Sequence, residues 1–329
     1  MPSLYYREDD EWKPLGIGDV ISGRFTVATT NAYSYNFDEP FAGVPRVVAM
    51  AVGTQEVAVT GVSESGFVVD IQSGTAPCDI MYLAAYEPGP YDNYTGEELL
   101  DDHLETCKTN QAAAQRVSDY FNTRFTSMSW AYMSKMSEVA AAFPAVFGVY
   151  VNKTRTVNMG SSYGGNTVFR VAGVDHDTNS SGKGAFTFIA DKCIATHQMN
   201  TSNTTSGGWA SCAMRSWLSS TVLPAMPSDL RAVIASVNKV NTSGYGTSPT
   251  QDKLWIPSYT EVGLGGNEGS AYGIFTGNSS RIRKYNNSAT YWWLRSVYSS
   301  VHFRYVGSDG SLYSLNASNP YGVVPGFCI

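Results

Sequence analysis

Between residues 16 and 86 the chain is a series of short runs: GRFTVATT, RVVAMAVG, QEVAVTGV, GFVVDI and DIMYLAAY. Each carries β-branched or alternating apolar positions, and Gly, Pro and Asn separate them. A period of two at this turn spacing predicts strands of a small all-β sandwich over 1–90. EPGPYDNYT, residues 87–95, then reads as a linker. Thr95, with Glu98 three residues on, is a helix start of the capping-box type. Leu99, His103, Leu104 and Cys107 share one helical stripe, continued by Ala114, Val117 and Phe121. A second short helix is expected over 128–143, stopping before Pro144. No strict heptad persists, so residues 91–146 predict a helical connector, not a long coiled coil.

From about residue 147 the pattern changes. NTVFRVAGVDHD and GAFTFIADKCIATHQMN predict strands around a Gly/Ser/Asn turn. A helix is expected over 210–218 with Met214, Trp217 and Leu218 inward, and another from Asp229 with Val233, Ile234 and Val237 on its apolar side. Sparse helices before a Gly-rich ending of strands and loops predict an α+β domain over 147–329. Its last 39 residues, YWWLRSVYSSVHFRYVGSDGSLYSLNASNPYGVVPGFCI, are apolar at both ends. Trp292, Trp293 and Leu294 require burial, at about 25 cal/mol per Å² removed from water. Arg295 beside them calls for fixed hydrogen bonds to carbonyls or an acid. Gly310 suits a turn with positive φ, and Val323, Pro325 and Phe327 brace a closing strand. The middle holds Tyr298, Ser299, Ser300, His302, Arg304, Tyr305, Tyr313, Ser314, Asn316, Ser318, Asn319 and Tyr321. This is the composition of an antibody paratope: tyrosine gives broad contact with little freedom to lose, and Ser and Asn give adaptable hydrogen bonds.

Charge narrows the partners. Only 15 % of the 329 residues are charged and the formal net charge is -6. With no basic stripe, nucleic acid is not an expected partner, and the RIRK run from Arg281 reads as a solvated loop. No segment has 18 consecutive apolar residues, so membrane insertion is not expected, and the polar N-terminus shows no signal run. Five scattered cysteines read as free buried thiols. Asn-x-Ser/Thr triplets at Asn179, Asn200, Asn203, Asn241 and Asn278 are by-products of a Ser/Thr/Asn-rich surface. Asp175, Asp177 and Asp191 read as hydrated surface acids and not as cation ligands. No nucleophile elbow, phosphate loop or zinc spacing occurs, so no enzyme activity, metal or cofactor is expected.

Two resemblances add to this. Phe37, Pro40, Phe41, Pro45, Val47, Val59, Gly66, Phe67 and Val69 resemble the pattern of phage tail-fibre domains related to H-type lectins. Such domains commonly trimerise, which implies a homotrimer. MRSWLSS, LWIPSYTEV, YWWLRS, SDG and YGVVPGFCI resemble the C-type lectin-like variable proteins of phages and gut bacteria that diversity-generating retroelements alter. The likeness covers roughly 149–329, and implies a C-type lectin-like fold. It also implies that Trp292, Trp293, Leu294, Arg295, Gly310, Gly322, Val323, Pro325 and Phe327 are constant scaffold. The twelve Tyr, Ser, Asn, His and Arg positions named above would be the diversified ligand-binding set. The calcium motifs of sugar-binding C-type lectins are absent, as is a copper-binding cysteine pair. The expected role is a receptor-binding protein at a phage tail fibre tip, on the virion or else associated with a bacterial cell. Its expected partner is a cell-surface protein or glycan on a bacterial host. A structural fibre component with no ligand is the alternative.

Overall fold

The structure, a computed structural model, describes residues 5–8, 11–14, 20–28, 32–41, 44–53, 55–74, 76–85, 90–177, 185–242 and 247–329. Thr29, Thr30, residues 42–43 and 87–89 of the expected turns and linker, the turn between Asp177 and Ala185, and Asn179 lie outside these. The chain divides into two compact units, Met1–Asn93 and Tyr94–Ile329.

In the first unit a hairpin of β1 (Tyr5–Glu8) and β2 (Glu11–Pro14) precedes six strands. These are β3 (Val20–Val27), β4 (Tyr33–Asn36), β5 (Arg46–Ala51), β6 (Glu56–Ser63), β7 (Gly66–Ser73) and β8 (Cys78–Ala85). They form two antiparallel three-stranded sheets, β3-β8-β5 and β4-β7-β6. Alternation sends Val27, Phe67, Val69, Ile80, Tyr82 and Ala84 into one core with Phe37 and Phe41. Tyr82 donates a hydrogen bond to the Tyr35 hydroxyl, tying one sheet to the other. The outward positions of β5 and β8 include an apolar group: Val48, Met50, Met81 and Leu83 are exposed together.

The second unit is mixed α/β and mostly sheet. Its helices start as the sequence signals: Thr95 and Glu98 make the reciprocal capping box of α1 (Gly96–Asp102). The single helical run expected beyond it is broken into α1, α2 (Leu104–Thr109) and α3 (Gln111–Asn122), the last capped by the Asn110 side chain. Helix α4 (Trp130–Ala142) buries Trp130, Met133, Met136, Ser137, Val139 and Ala140. These helices, expected as a connector, are packed into the second unit. Trp130 meets Phe188 and Phe327 edge-on, and Ser137 donates to the carbonyl of Ile329.

Strands β9 (Thr154–Asn158), β10 (Asn166–Val174) and β11 (Phe186–Ala190) form a sheet of order β21-β11-β10-β9, completed by β21 (Gly326–Cys328). A second sheet runs β12-β20-β17-β18-β19, made of β12 (Ala195–His197), β17 (Trp292–Val297), β18 (His302–Val306), β19 (Leu312–Asn316) and β20 (Tyr321–Val323). Hairpins β13 (Val237–Thr242) with β14 (Thr247–Asp252), and β15 (Arg283–Tyr285) with β16 (Ser288–Thr290), complete the unit. The helix from residue 228 ends at Val233, and Val237 instead begins β13. All five cysteines are buried. Burial pushes the thiols of Cys193, Cys212 and Cys328 up to about 12, so they stay protonated. Among the described residues no helix is long and apolar enough to cross a membrane.

Two expectations of solvated charge are overturned. In the RIRK run Arg281 and Arg283 are buried, because carbonyl oxygens surround their donors: Arg281 donates to Val262 and Gly263, Arg283 to Ala190, Ser280 and Ile282. Asp177 is buried too, paired with Lys239 and accepting from Thr187 and Tyr272. Asp175 is exposed as expected, and Asp191 is half-buried with Arg170 at 2.7 Å.

Candidate ligand-binding surface

Strand β17 is buried at all six positions. Trp292 donates to the Arg281 carbonyl at 3.0 Å, and Trp293 to the carbonyls of His197 and Asn319 at 3.0 and 3.2 Å. Arg295 is fully buried. Its guanidinium is bidentate on Glu261 and also donates to Asn241 Oδ1 (2.7 Å), the Ile256 carbonyl (3.0 Å), and the Val240 and Glu268 carbonyls (3.3 Å each). Glu261 accepts from Lys239 at 3.0 Å, and Lys239 lies 3.9 Å from the centre of the Trp255 ring. Burial opposes the charge on Glu261, yet Arg295 and Lys239 hold its carboxyl below the usual range; Asp177 is held low in the same way, chiefly by Lys239. The result is a fixed polar keel under the strand.

The next hairpin is set by its turn. Gly307 N donates to Ser311 O, Gly310 N to Gly307 O, and Asp309 accepts from Ser311 N. Gly310 has φ +78°, and a side chain there would collide with the carbonyl of Asn278. Register then decides which side chains share a side. Tyr305 pairs with Trp293 on one neighbour and Tyr313 on the other; Arg304 pairs with Ser314, and His302 with Asn316. Strand alternation places Arg304, His302, Ser314 and Asn316 on the side opposite Trp293, Tyr305 and Tyr313. The predicted positions on β18 and β19 therefore fall on two sides of the sheet, not one, and those outside the strands lie in the adjoining turns.

The aromatic patch is continuous. Tyr321 stacks on Trp293 with centroids 5.0 Å apart, Tyr305 meets Tyr321 edge-on at 4.9 Å, and Tyr313 stacks on Tyr305 at 5.5 Å. Tyr291 joins at 5.3 Å from Tyr321 and 5.6 Å from Tyr305; it was not among the predicted positions, though it directly precedes the tryptophans. Burial raises the phenols of Tyr305 and Tyr321, and a hydrogen bond to Asp309 raises that of Tyr313. All three are protonated hydrogen-bond donors at neutral pH.

On the other patch the Arg304 guanidinium lies 4.4 Å from the Tyr259 ring centre and 5.0 Å from that of Tyr298. Among the described residues it meets no hydrogen-bond acceptor, so its donors are open to an incoming oxygen. Tyr259 is the partner that sequence reasoning missed; its backbone N–H donates to Ser296 Oγ, which fixes it beside β17. Between the patches, Ser299 Oγ accepts from the amides of Val301 and His302 and shapes the turn. Ser318 donates to Asn203, and Asn319 to the Asn316 carbonyl. Ser300 is exposed.

None of the twelve predicted surface residues is buried, and all nine predicted scaffold residues are. Among the described residues no group of three or more His, Cys, Asp or Glu is placed to hold a metal ion. The arrangement offers stacked rings, phenol hydroxyls, an open guanidinium and small amides on a rigid base.

By fold and surface, the second unit is a mixed α/β domain that displays an aromatic sheet side. Residues 185–329, which include the whole of β17–β21, match a family described as Domain of unknown function (DUF6273). No curated protein matches the chain.

Proposed function

We propose that the protein is a receptor-binding protein whose second unit has a C-type lectin-like fold and captures a bacterial cell-surface ligand, without catalysis, through the two patches around β18–β19. The observation that carries this reading is the division of the 291–329 segment. Its nine framework positions lie inside, and none of its twelve predicted surface positions is buried. A surface of that kind tolerates exchange of its side chains, as diversification by a retroelement requires. The resemblance to retroelement-diversified proteins supports a phage tail fibre tip as its location, with association with a bacterial cell as the alternative. Its first unit, resembling H-type lectin domains, would bring copies together as a trimer through the exposed Val48, Met50, Met81 and Leu83. Several weak sites would then act together, which raises avidity over single-site affinity by about 10²–10⁴.

Two measurements test the reading. The DNA 3' of the coding segment is searched for a near-repeat of the codons for 291–329. Attachment of the purified chain to a panel of bacteria is compared with that of a Tyr298→Ala/Tyr313→Ala variant. Attachment unchanged in the variant, with no sequence variation at these codons among sibling isolates, leaves a purely structural role.

A further inference from the structure

The aromatic patch continues past the 291–329 segment. His197 pairs with Tyr321 across β12 and β20, so the five strands in spatial order contribute His197, Tyr321, Trp293, Tyr305 and Tyr313, one ring each. At about 4.8 Å per strand this row crosses ~19 Å of sheet. It extends beyond the edge strand: Trp217 stacks on His197 with centroids 4.3 Å apart and planes 15° apart, and Tyr163 packs on Trp217 at 5.8 Å. His197, Trp217 and Tyr163 are all half-exposed. Trp217 was expected inward; it is Met214 and Leu218 on either side that fill the core.

Stacked contacts cover ring faces along much of the row, at Trp217–His197, Trp293–Tyr321 and Tyr305–Tyr313. What stays open there is the outer edges of the His197, Trp217 and tyrosine rings, which carry partial positive charge; Trp293 is buried beneath them, and the Tyr313 hydroxyl is held by Asp309. Among the described residues no Lys or Arg lies over any of these seven rings, and the chain's net charge is -6, so a polyanion such as nucleic acid is not matched. A straight row of oxygen-seeking edges suits a ligand that is itself linear, repeating, uncharged and dense in hydroxyl and ether oxygens. A folded protein partner has no reason to present such a repeat, and would want a pocket for a buried anchor.

We propose that the row from Tyr163 to Tyr313 is a binding track for a neutral linear polysaccharide, and that Tyr163, Trp217 and His197, outside the diversified segment, are its fixed half. This rests on the receptor-binding reading and names its ligand class. The fixed rings supply affinity for the sugar chain common to many surfaces, and the Tyr305–Tyr313 end adjusts selectivity.

The test is affinity electrophoresis of the full chain through gels containing dextran, mannan, galactan or laminarin, with attachment to the bacterial panel measured in parallel. The expected result is retardation by at least one polymer, stronger for longer size-fractionated oligosaccharides. Trp217→Ala should bind about 3- to 10-fold more weakly, the size of one aromatic contact. Trp217→Phe should retain binding, and both variants should melt as the parent does. His197→Ala provides a second, independent weakening. The proposal is overturned if the chain attaches to cells yet no polymer retards it and Trp217→Ala attaches like the parent. Loss of attachment after protease treatment of the cells overturns it as well, in favour of a protein ligand. In both of those cases the receptor-binding reading survives. No attachment to any cell and no retardation by any polymer overturns both.

Discussion

Replacing Arg295 with Met tests whether the polar keel holds the scaffold. The guanidinium makes two bonds to Glu261, one to Asn241 and three to backbone carbonyls, all in a site closed to solvent. Methionine fills much of the volume but leaves the Glu261 carboxylate with Lys239 as its remaining cation, itself shared with Asp177. Breaking a buried pair in this way costs about 3–5 kcal/mol. Against a total stability of about 5–15 kcal/mol, that is a large share. For a unit of this size each kcal/mol moves the midpoint by about 2–4 °C, so a fall of roughly 6–20 °C is expected. Differential scanning calorimetry at pH 7 measures it, with Arg295→Lys as an intermediate control that keeps the charge and loses the fork. The pair also predicts acid sensitivity. Glu261 and Asp177 are held below their unfolded values, so their contribution is present above the unfolded carboxylate range and is lost as pH falls through the folded values. The Met variant should lose part of that slope. A midpoint within 2 °C of the parent, roughly the spread expected for neutral changes, refutes the idea that this network supports the surface.

Truncating Trp293 to Ala should cost about 3–5 kcal/mol, read by urea unfolding, whereas Tyr313→Ala should cost under about 1 kcal/mol because its ring is half in solvent. Gly310→Ala should destabilise strongly, since the added carbon meets the Asn278 carbonyl and φ is positive; a melt like the parent's would show that the turn relaxes. For His176, burial opposes protonation, but Asp177 and the Ala271 carbonyl beside it raise its pKa. Its contribution is therefore full below the unfolded histidine value and lost as pH rises through the folded one; a His176→Gln variant should show a flatter pH–stability profile above neutrality, and an unchanged profile refutes the coupling. Light scattering of the full chain should give three times 35.6 kDa, reduced to the monomer by Met50→Asp with Leu83→Asp; a monomeric parent refutes the trimer.

Local signals carried much of this molecule. The Thr95–Glu98 cap, the positive φ at Gly310 and the burial of both tryptophans follow from residue chemistry within a few positions. So does most of the separation of framework from surface in 291–329, because bulky apolar residues and Tyr/Ser/Asn sort by transfer free energy; Arg295 and Ser296 are the exceptions, buried with distant polar partners. Long-range pairing was the part that local pattern could not carry. Which side of the sheet Arg304 occupies depends on its register with Ser314, ten residues away, and strand alternation reverses with a shift of one. The burial of Asp177 needs Lys239, and that of Arg283 needs the Ala190 carbonyl, 93 positions distant. Trp217 looked like core because its neighbours Met214 and Leu218 are; its stacking on His197 becomes visible only when β12 joins the sheet.

Strand β21 lies against β11, and its residues also bridge Ala235 and Trp255 and receive Ser137 of α4 at Ile329. Elements separated by nearly two hundred positions thus wait for the same four residues. Deleting residues 326–329 therefore takes away the strand that pairs with β11 beside Phe186 and Phe188 and opens the interior of the second unit to proteases.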